Sequence, residues 1–312
     1  MKFILNYKYG SPVAKIKGGI YDNKIIYLLD EDEDDEIYKN NFQITNEEED
    51  DILGLFFHAL KKRMGSREMK QLKKLISNKT EPEELNMKDN YNNGIEFLKE
   101  RKNKEIIIND GRIYPIFNID KEREVIYIAG MSGSGKSTYI SYLMTAYNMT
   151  YPDNNIFLFS EKEEDPAFNN NIFKRIKMDS DLVKYPFKLE EFKNSFVIFD
   201  DYEDGEDKEV EKEVKRLSKY VMKKGRANKT NMAYVSHLAN DYKNTRDILN
   251  EMTSCTIFPF TTNKHNLKYL LEKYFGFGKG QINKIDSLPS RWITIYKAPT
   301  MIMYDKGCYL IK

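Results

Sequence analysis

From residue 105 onward, short runs of apolar residues alternate with longer segments whose apolar positions recur at helical spacing. The runs at 105–108, 125–129, 155–159, 196–199, 231–235 and 255–258 read as strands, and 137–147, 208–224 and 245–252 read as helices. Strands that are apolar at nearly every position are strands covered on both faces. Their alternation with helices predicts an α/β domain of three layers with a mostly parallel central sheet. In such sheets ligands bind beyond the carboxyl ends of the strands, so the chemistry-bearing residues are expected there.

The first hundred residues follow a different grammar. Residues 2–9 and 20–29 are aromatic and β-branched, and Gly10, Pro12, Gly18 and Gly19 lie between them, as expected for two strands joined by a loop. Apolar positions from Ile52 through Leu55, Phe56, Leu60, Met64, Met69 and Leu72 to Ile76 suggest two helices broken at Gly65–Ser66. The polar stretch 78–93 reads as a linker, with one short helix over 95–102. Residues 1–104 are thus expected to form an N-terminal α+β module whose role the sequence does not disclose, and 105–312 the main domain.

Composition adds little until it is resolved along the chain. Net charge is +1, but Asp30 to Asp51 holds twelve acidic residues against Lys39 alone, a local charge of −11 that leaves +12 elsewhere. That acidic run suits the positive end of the helix that follows it, and the remainder is free to meet a polyanion. Two cysteines, Cys255 and Cys308, make no disulfide framework and read as buried thiols of a reducing compartment. No signal peptide and no run of 18 apolar residues is present. A soluble intracellular protein without a membrane span is expected.

The sharpest signal is EVIYIAGMSGSGKSTYISYLM. The apolar strand 125–129 runs into Gly130, Met131, Ser132, Gly133, Ser134, Gly135, Lys136, Ser137 and Thr138, and a helix follows. In this strand–loop–helix context, GxxxxGK[ST] wraps backbone N–H groups around phosphates, and the helix dipole adds to their pull. Lys136 is expected to reach the β- and γ-phosphates of ATP and Ser137 to ligate Mg²⁺.

A magnesium-dependent site also needs a carboxylate at a strand tip. SFVIFDDYEDGEDKE supplies it: Asp200 ends the apolar run 196–199, 64 residues after Lys136, and is the expected metal ligand. Asp201 beside it is the candidate to orient and deprotonate an attacking water, with Glu203 as its alternative. Further on, NMAYVSHLAND places Ser236 and His237 at the end of another strand, where one of the two would sense the γ-phosphate or hold the water; the alternative is a loop cap by Ser236 and a surface His237. The stretch KYVMKKGRANKTN is basic. Its Arg226 would touch a phosphate in its own subunit or act as an arginine finger in a neighbour's, with Arg246 and Arg291 as rivals. His58 and His265 stand alone, and no zinc set is expected.

Four segments together resemble the viral DNA-packaging ATPases of poxviruses and giant DNA viruses, within the FtsK/HerA-like branch of P-loop motors: GMSGSGKST, FVIFDD, KKGRANKTNMAYVSH and RWITIYKAPTMIMYDKGCYLI. The likeness spans roughly residues 105–312. It implies an ASCE/RecA-like P-loop NTPase that hydrolyses ATP with Mg²⁺ at Lys136, Ser137, Asp200, Asp201 and Ser236 or His237. It further implies a homo-oligomeric ring that drives double-stranded DNA of any sequence into a preformed capsid, docking on a capsid or portal component, in the viral factory of the host cytoplasm or in the virion. Two positions depart from the pattern: Ala227 follows Gly225–Arg226 where many relatives have histidine, and Asp201 stands where many have glutamate. A nucleotide or small-molecule kinase, and a nucleotide-dependent capsid-assembly factor, are the alternatives. For DNA contact the candidates are Lys223, Lys224, Arg226 and Lys229, or Lys273, Lys279 and Lys284 in KYFGFGKGQINK.

Overall fold

The protein is described by a computed structural model of the 312-residue chain, in which all residues are described except 6–9, 30–59, 61–63, 79, 81, 83–84, 163, 169–171, 203–206, 240–244 and 312. The acidic run at 30–51, the first expected helix before Leu60, His58 and Glu203 lie outside the described residues.

Among the described residues, ten strands form the main sheet. Its parallel half runs, in spatial order, from Ser254–Ile257 (β11) through Val125–Ala129 (β6), Asn231–Ser236 (β10), Ser195–Asp200 (β9) and Asn155–Ser160 (β7) to Lys174–Ile176 (β8). Beyond β11 the strands Ile293–Lys297 (β12), Thr300–Tyr304 (β13), Gly307–Leu310 (β14) and Glu105–Ile107 (β4) continue the sheet antiparallel. The sheet is therefore mixed. Its parallel half comes from strand–helix alternation and its antiparallel wing from C-terminal hairpins, with the first strand of the main domain returning to the far edge. One strand, β10, separates the phosphate-loop strand β6 from the acid-tipped strand β9, the order of an ASCE/RecA-like P-loop NTPase.

Successive residues of each central strand enter different cores, as the two-residue period of a strand requires. Val125, Tyr127, Val197, Phe199, Met232 and Tyr234 face one side, where Val210, Val214, Leu217 and Val221 of helix Lys208–Lys224 cover them. Ile126, Ile128, Phe196, Ile198, Ala233 and Val235 face the other. There they meet Ile140, Leu143 and Met144 of the helix Lys136–Thr150, and also a second, four-stranded sheet.

That small sheet has the order Lys2–Leu5 (β1), Ile25–Leu29 (β3), Ser11–Lys17 (β2), Arg112–Pro115 (β5). The segment expected to be a loop between two strands is itself a strand. Its Ala14 and Ile16 point inward while Lys15 and Lys17 point away, an alternation that Pro12 and the flanking glycines obscure. Residues from both sides of position 104 build this sheet, and Phe3, Ala14, Ile16 and Ile26 share one core with Ile128 and Tyr139. Residues 85–93 of the stretch expected as a linker are helical: they belong to helix Leu85–Lys104, which tolerates the internal Gly94, and Tyr91 packs on Leu72 and Ile76 of helix Ser66–Ser77. Hydrophobic contact at Met87 and Tyr91 outweighs the low helix propensity of an asparagine-rich segment. Cys255 and Cys308 are buried and unbridged. Among the described residues no helix is long and apolar enough to cross a membrane.

Candidate active site

Parallel strands β6, β9 and β10 aim their carboxyl ends at one edge, and the candidate residues collect there. The loop after β6 is held against the sheet by the backbone bond from Gly130 N–H to Ser236 C=O, 3.1 Å. Only glycine fits at position 130, because a Cβ would meet Ser134 Oγ at 2.7 Å and the ring of Phe258 at 2.8 Å. Gly135, with φ at +109°, turns the chain into helix Lys136–Thr150, a conformation that L side chains rarely adopt. The loop backbone thus approaches any ligand with nothing projecting from these two positions.

Lys136 is buried at the centre. Its Nζ donates to Gly130 C=O at 2.7 Å and lies 3.2 Å from His237 Nδ1 and 4.0 Å from Asp201 Oδ2. Burial pulls the ammonium below its ordinary pKa, and Asp201 and Asp200 oppose that pull. His237 Nε2 in turn lies 3.1 Å from Asp201 Oδ2, so lysine, histidine and aspartate form one contiguous chain.

Asp200 and Asp201 are held differently. Asp200 is 2% exposed, and its Oδ2 accepts from Ser160 Oγ at 3.4 Å. Burial raises its pKa to about 6, with Asp201 adding to the rise and Lys162 and Lys136 opposing it. Asp201 leaves the strand with φ at +44°, an uncommon turn for a non-glycine residue, and this turn brings its carboxylate to Lys136 and His237. Its other oxygen, Oδ1, is buried without a hydrogen-bond partner among the described residues. An orphaned carboxylate oxygen beside a buried carboxyl group is a donor set that fits a hydrated Mg²⁺, a cation that takes one or two carboxylates and completes its shell with water and phosphate oxygens. No cluster of three or more His, Cys, Asp or Glu that could cage a metal occurs among the described residues.

The expected residues do not all meet. Lys136, Asp200, Asp201 and His237 are brought together, and Ser137 and Thr138 open the helix beside them. Ser236 is buried, and its hydroxyl accepts from Leu238 N–H at 3.2 Å, so of the two candidates at this strand end it caps the turn while His237 enters the cluster. Arg226 lies at the opposite edge of the sheet. It precedes the amino end of β10, a six-residue strand spanning about 20 Å, and pairs with Glu122 there. The expectation that it touches a phosphate of its own subunit is thereby corrected: the helix it follows runs antiparallel to the strands and ends at the edge away from the loop.

Sequence reading passed over Ser160 and Lys162. Both follow from the rule that ligands gather at carboxyl strand ends, applied to β7 next to the acid-tipped strand. Arg291 was named only as a rival, yet its Nε comes within 3.6 Å of the position a Cβ on Gly135 would take.

No known protein-family profile matches the chain. Among solved structures it is similar to the genome packaging NTPase B204 of Sulfolobus turreted icosahedral virus 2 in complex with AMPPCP, at TM-score 0.42 and 10% identity over 60% of this chain and 98% of that one. It is likewise similar to B204, the DNA-packaging ATPase of Sulfolobus turreted icosahedral virus, at TM-score 0.43 and 13% identity over 59% and 97%. The pCW3 conjugation coupling protein TcpA gives TM-score 0.43 and 14% identity over 65% and 66%. In sequence, 206 residues are 35% identical to the uncharacterized protein V3 of Sputnik virophage, covering 65% of this chain and 83% of that protein, and the chain belongs to the V3 family.

Proposed function

We propose that this protein is an ATPase motor that moves double-stranded viral DNA into a preformed capsid, working as a homo-oligomeric ring on a capsid or portal component. The observation that carries the hydrolytic part is the Lys136–His237–Asp201 chain beside the buried Asp200. The DNA part rests on the resemblance of the motifs between residues 130 and 312 to those of packaging ATPases, and the viral setting on kinship with a virophage protein. Such a machine acts in the host cytoplasm, at the viral factory, and on the assembling virion.

ATP lies with its phosphates in the loop 130–138, and Lys136 exchanges its bond to Gly130 C=O for the β- and γ-oxygens. Ser137 and Asp200 are the residues that would hold Mg²⁺, which when bound would supply charge neutralisation at those oxygens. Asp201 accepts a proton from the water that attacks the γ-phosphorus, and the bond to the β–γ bridging oxygen breaks to leave ADP. His237 links Asp201 to Lys136, so loss of the γ-phosphate changes what both neighbours can bond. Because His237 sits on the loop after β10, that change has a path to the segments bordering the site. Contacts to the DNA backbone suffice for a machine that accepts any sequence.

Steady-state ATP hydrolysis with and without linear duplex DNA, against a Lys136→Ala background, tests this. Hydrolysis stimulated by DNA is the expected result. Unstimulated hydrolysis by an oligomeric sample would remove the DNA half of the reading, and phosphoryl transfer to an added acceptor would replace it with a kinase.

A further inference from the structure

We propose that Arg291 binds the α-phosphate end of the nucleotide in its own subunit, as a second cation on the opposite flank of the loop from Lys136. The inference rests on the reading of loop 130–138 as a nucleotide site and adds to it a residue that sets affinity rather than rate.

Strand register brings Arg291 there. Ala129, the last residue of β6, pairs with Ile257 of β11, and Ile257 pairs with Ile293 of β12. Because β12 runs antiparallel, the residues that precede Ile293 extend past the same sheet edge as the residues that follow Ala129. Arg291, two residues before Ile293, therefore emerges on the ligand side although it is 155 residues from Lys136 in sequence. Its Nε and Cδ lie 3.6 and 3.9 Å from the position a Cβ on Gly135 would occupy, so the stem runs along the turn that opens the helix.

The neighbouring residue fixes this placement. Trp292 is buried, and its ring lies 5.1 Å from that of Tyr139, one turn into the loop's own helix. Tyr139 Oη is 2.7 Å from Thr294 Oγ1 on β12 and accepts from Thr256 Oγ1 on β11 at 3.2 Å, all three groups being buried. The base of Arg291 is thus fastened to the helix that the phosphates address, while its own side chain is exposed. Among the described residues no carboxylate pairs with it.

The direction of the ligand follows from strand order. Among the described residues, every polar contact of Lys136 beyond its own loop goes to the β10 and β9 side, to His237 and Asp201. The metal-binding γ end belongs on that side. The α-phosphate and ribose then leave toward β11 and β12, the flank where Arg291 stands. A guanidinium matches a phosphate's oxygens with two parallel donors, which an ammonium does not.

The test is binding of fluorescent mant-ADP and, by competition, of ATP to the full chain with Mg²⁺, followed by anisotropy, for wild type, Arg291→Ala, Arg291→Glu and Arg291→Lys. The expected result is a loss of affinity of about 10- to 100-fold in Arg291→Ala, equal for ADP and ATP, larger in Arg291→Glu and partly recovered in Arg291→Lys, with kcat at saturating ATP nearly unchanged. Wild-type affinity for ADP in both Arg291→Ala and Arg291→Glu overturns the assignment and leaves the nucleotide site standing. A collapse of kcat with ADP affinity intact also overturns it, since that is the signature of a finger acting on the neighbour's γ-phosphate. Failure of the wild-type chain to bind either nucleotide overturns the site reading and Arg291 with it.

Discussion

His237 Nε2 stands 3.1 Å from Asp201 Oδ2 while its Nδ1 stands 3.2 Å from the ammonium of Lys136. Lysine can only donate and the carboxylate can only accept, so the two contacts together assign the neutral tautomer with its proton on Nε2. In that form the imidazole passes orientation from the phosphate-side cation to the water-side carboxylate. His237→Ala removes the link without removing either end. ATP affinity should stay within a few-fold of wild type while kcat falls by about 10- to 100-fold, below the loss expected for a general base. Single-turnover hydrolysis at saturating ATP separates the two, and an unchanged rate would leave His237 a bystander.

Asp201→Asn keeps the size of the side chain and the contact with His237 but cannot take a proton. Hydrolysis should slow by roughly 10²- to 10⁴-fold with ATP binding retained. Quench-flow measurement of phosphate release reads the step directly. A variant as fast as wild type would transfer the base to another group.

Asp200 makes the fold depend on pH. Its pKa rises from 3.8 in the unfolded chain to about 6 in the folded one, chiefly through burial. Between those values the native state holds a proton that the unfolded chain has lost, so stability falls as pH rises through this window and stays lower above it. The penalty is about 2–3 kcal/mol at neutral pH. In EDTA, Asp200→Asn should therefore melt higher than wild type at pH 7.5 by about 4–8 °C and match it near pH 4. Added Mg²⁺ should narrow the gap from the wild-type side. Equal melting temperatures at both pH values would mean that Asp200 carries no such penalty.

The residues that were legible in advance are those whose local pattern also fixes their surroundings. Val125–Ala129 followed by a glycine-rich loop states a strand, a turn and a helix at once, and Phe196–Asp200 states a buried strand with a charge at its tip. Helix Lys208–Lys224 was legible from its apolar spacing, and in the structure Asp207 caps its start, accepting from the N–H groups of Glu209 and Val210, while lysines close its end. What stayed hidden depends on partners distant in sequence. Ser11–Lys17 becomes a strand only when Ile25–Leu29 and Arg112–Pro115 flank it, and Arg291 meets Gly135 only through the pairing of β11 with β12. The left-handed turn at Asp201, which decides where that carboxylate points, has no marker in a pair of adjacent aspartates.

The hydroxyls of Tyr139, Thr256 and Thr294 form a closed buried triangle between the loop's helix and the sheet, with sides of 2.7, 2.8 and 3.2 Å. Tyr139→Phe deletes one corner but leaves the two threonines bonded to each other, so it should cost only about 1 kcal/mol. Thr294→Val should cost a similar amount. The double variant should lose less than the two singles combined, because one shared bond is counted in both. Urea denaturation of the four proteins gives the coupling directly, and strict additivity would show that the triangle acts as independent contacts.

Under the proposed DNA role two basic surfaces are the candidates for duplex contact, and their internal pairings separate them. Lys284 is committed within the chain: its Nζ lies 3.1 Å from Glu105 Oε1 and 4.0 Å from the centre of the Tyr309 ring. That leaves Lys273 and Lys279 as the exposed cations of the C-terminal segment. At the amino edge of β10, by contrast, Lys223, Lys224 and Lys229 are accessible, and among the described residues Arg226 pairs with the exposed Glu122 alone, an attraction that solvent weakens. Duplex binding should therefore weaken more when Lys223, Lys224, Arg226 and Lys229 are changed together to Gln than when Lys273, Lys279 and Lys284 are. Each DNA phosphate that the protein no longer neutralises also flattens the dependence of log K on log salt by about 0.9, so the amino-edge variant should show the shallower slope in a salt titration of fluorescent duplex. Equal slopes for that variant and the wild type would remove this edge from the DNA path and pass it to the C-terminal segment.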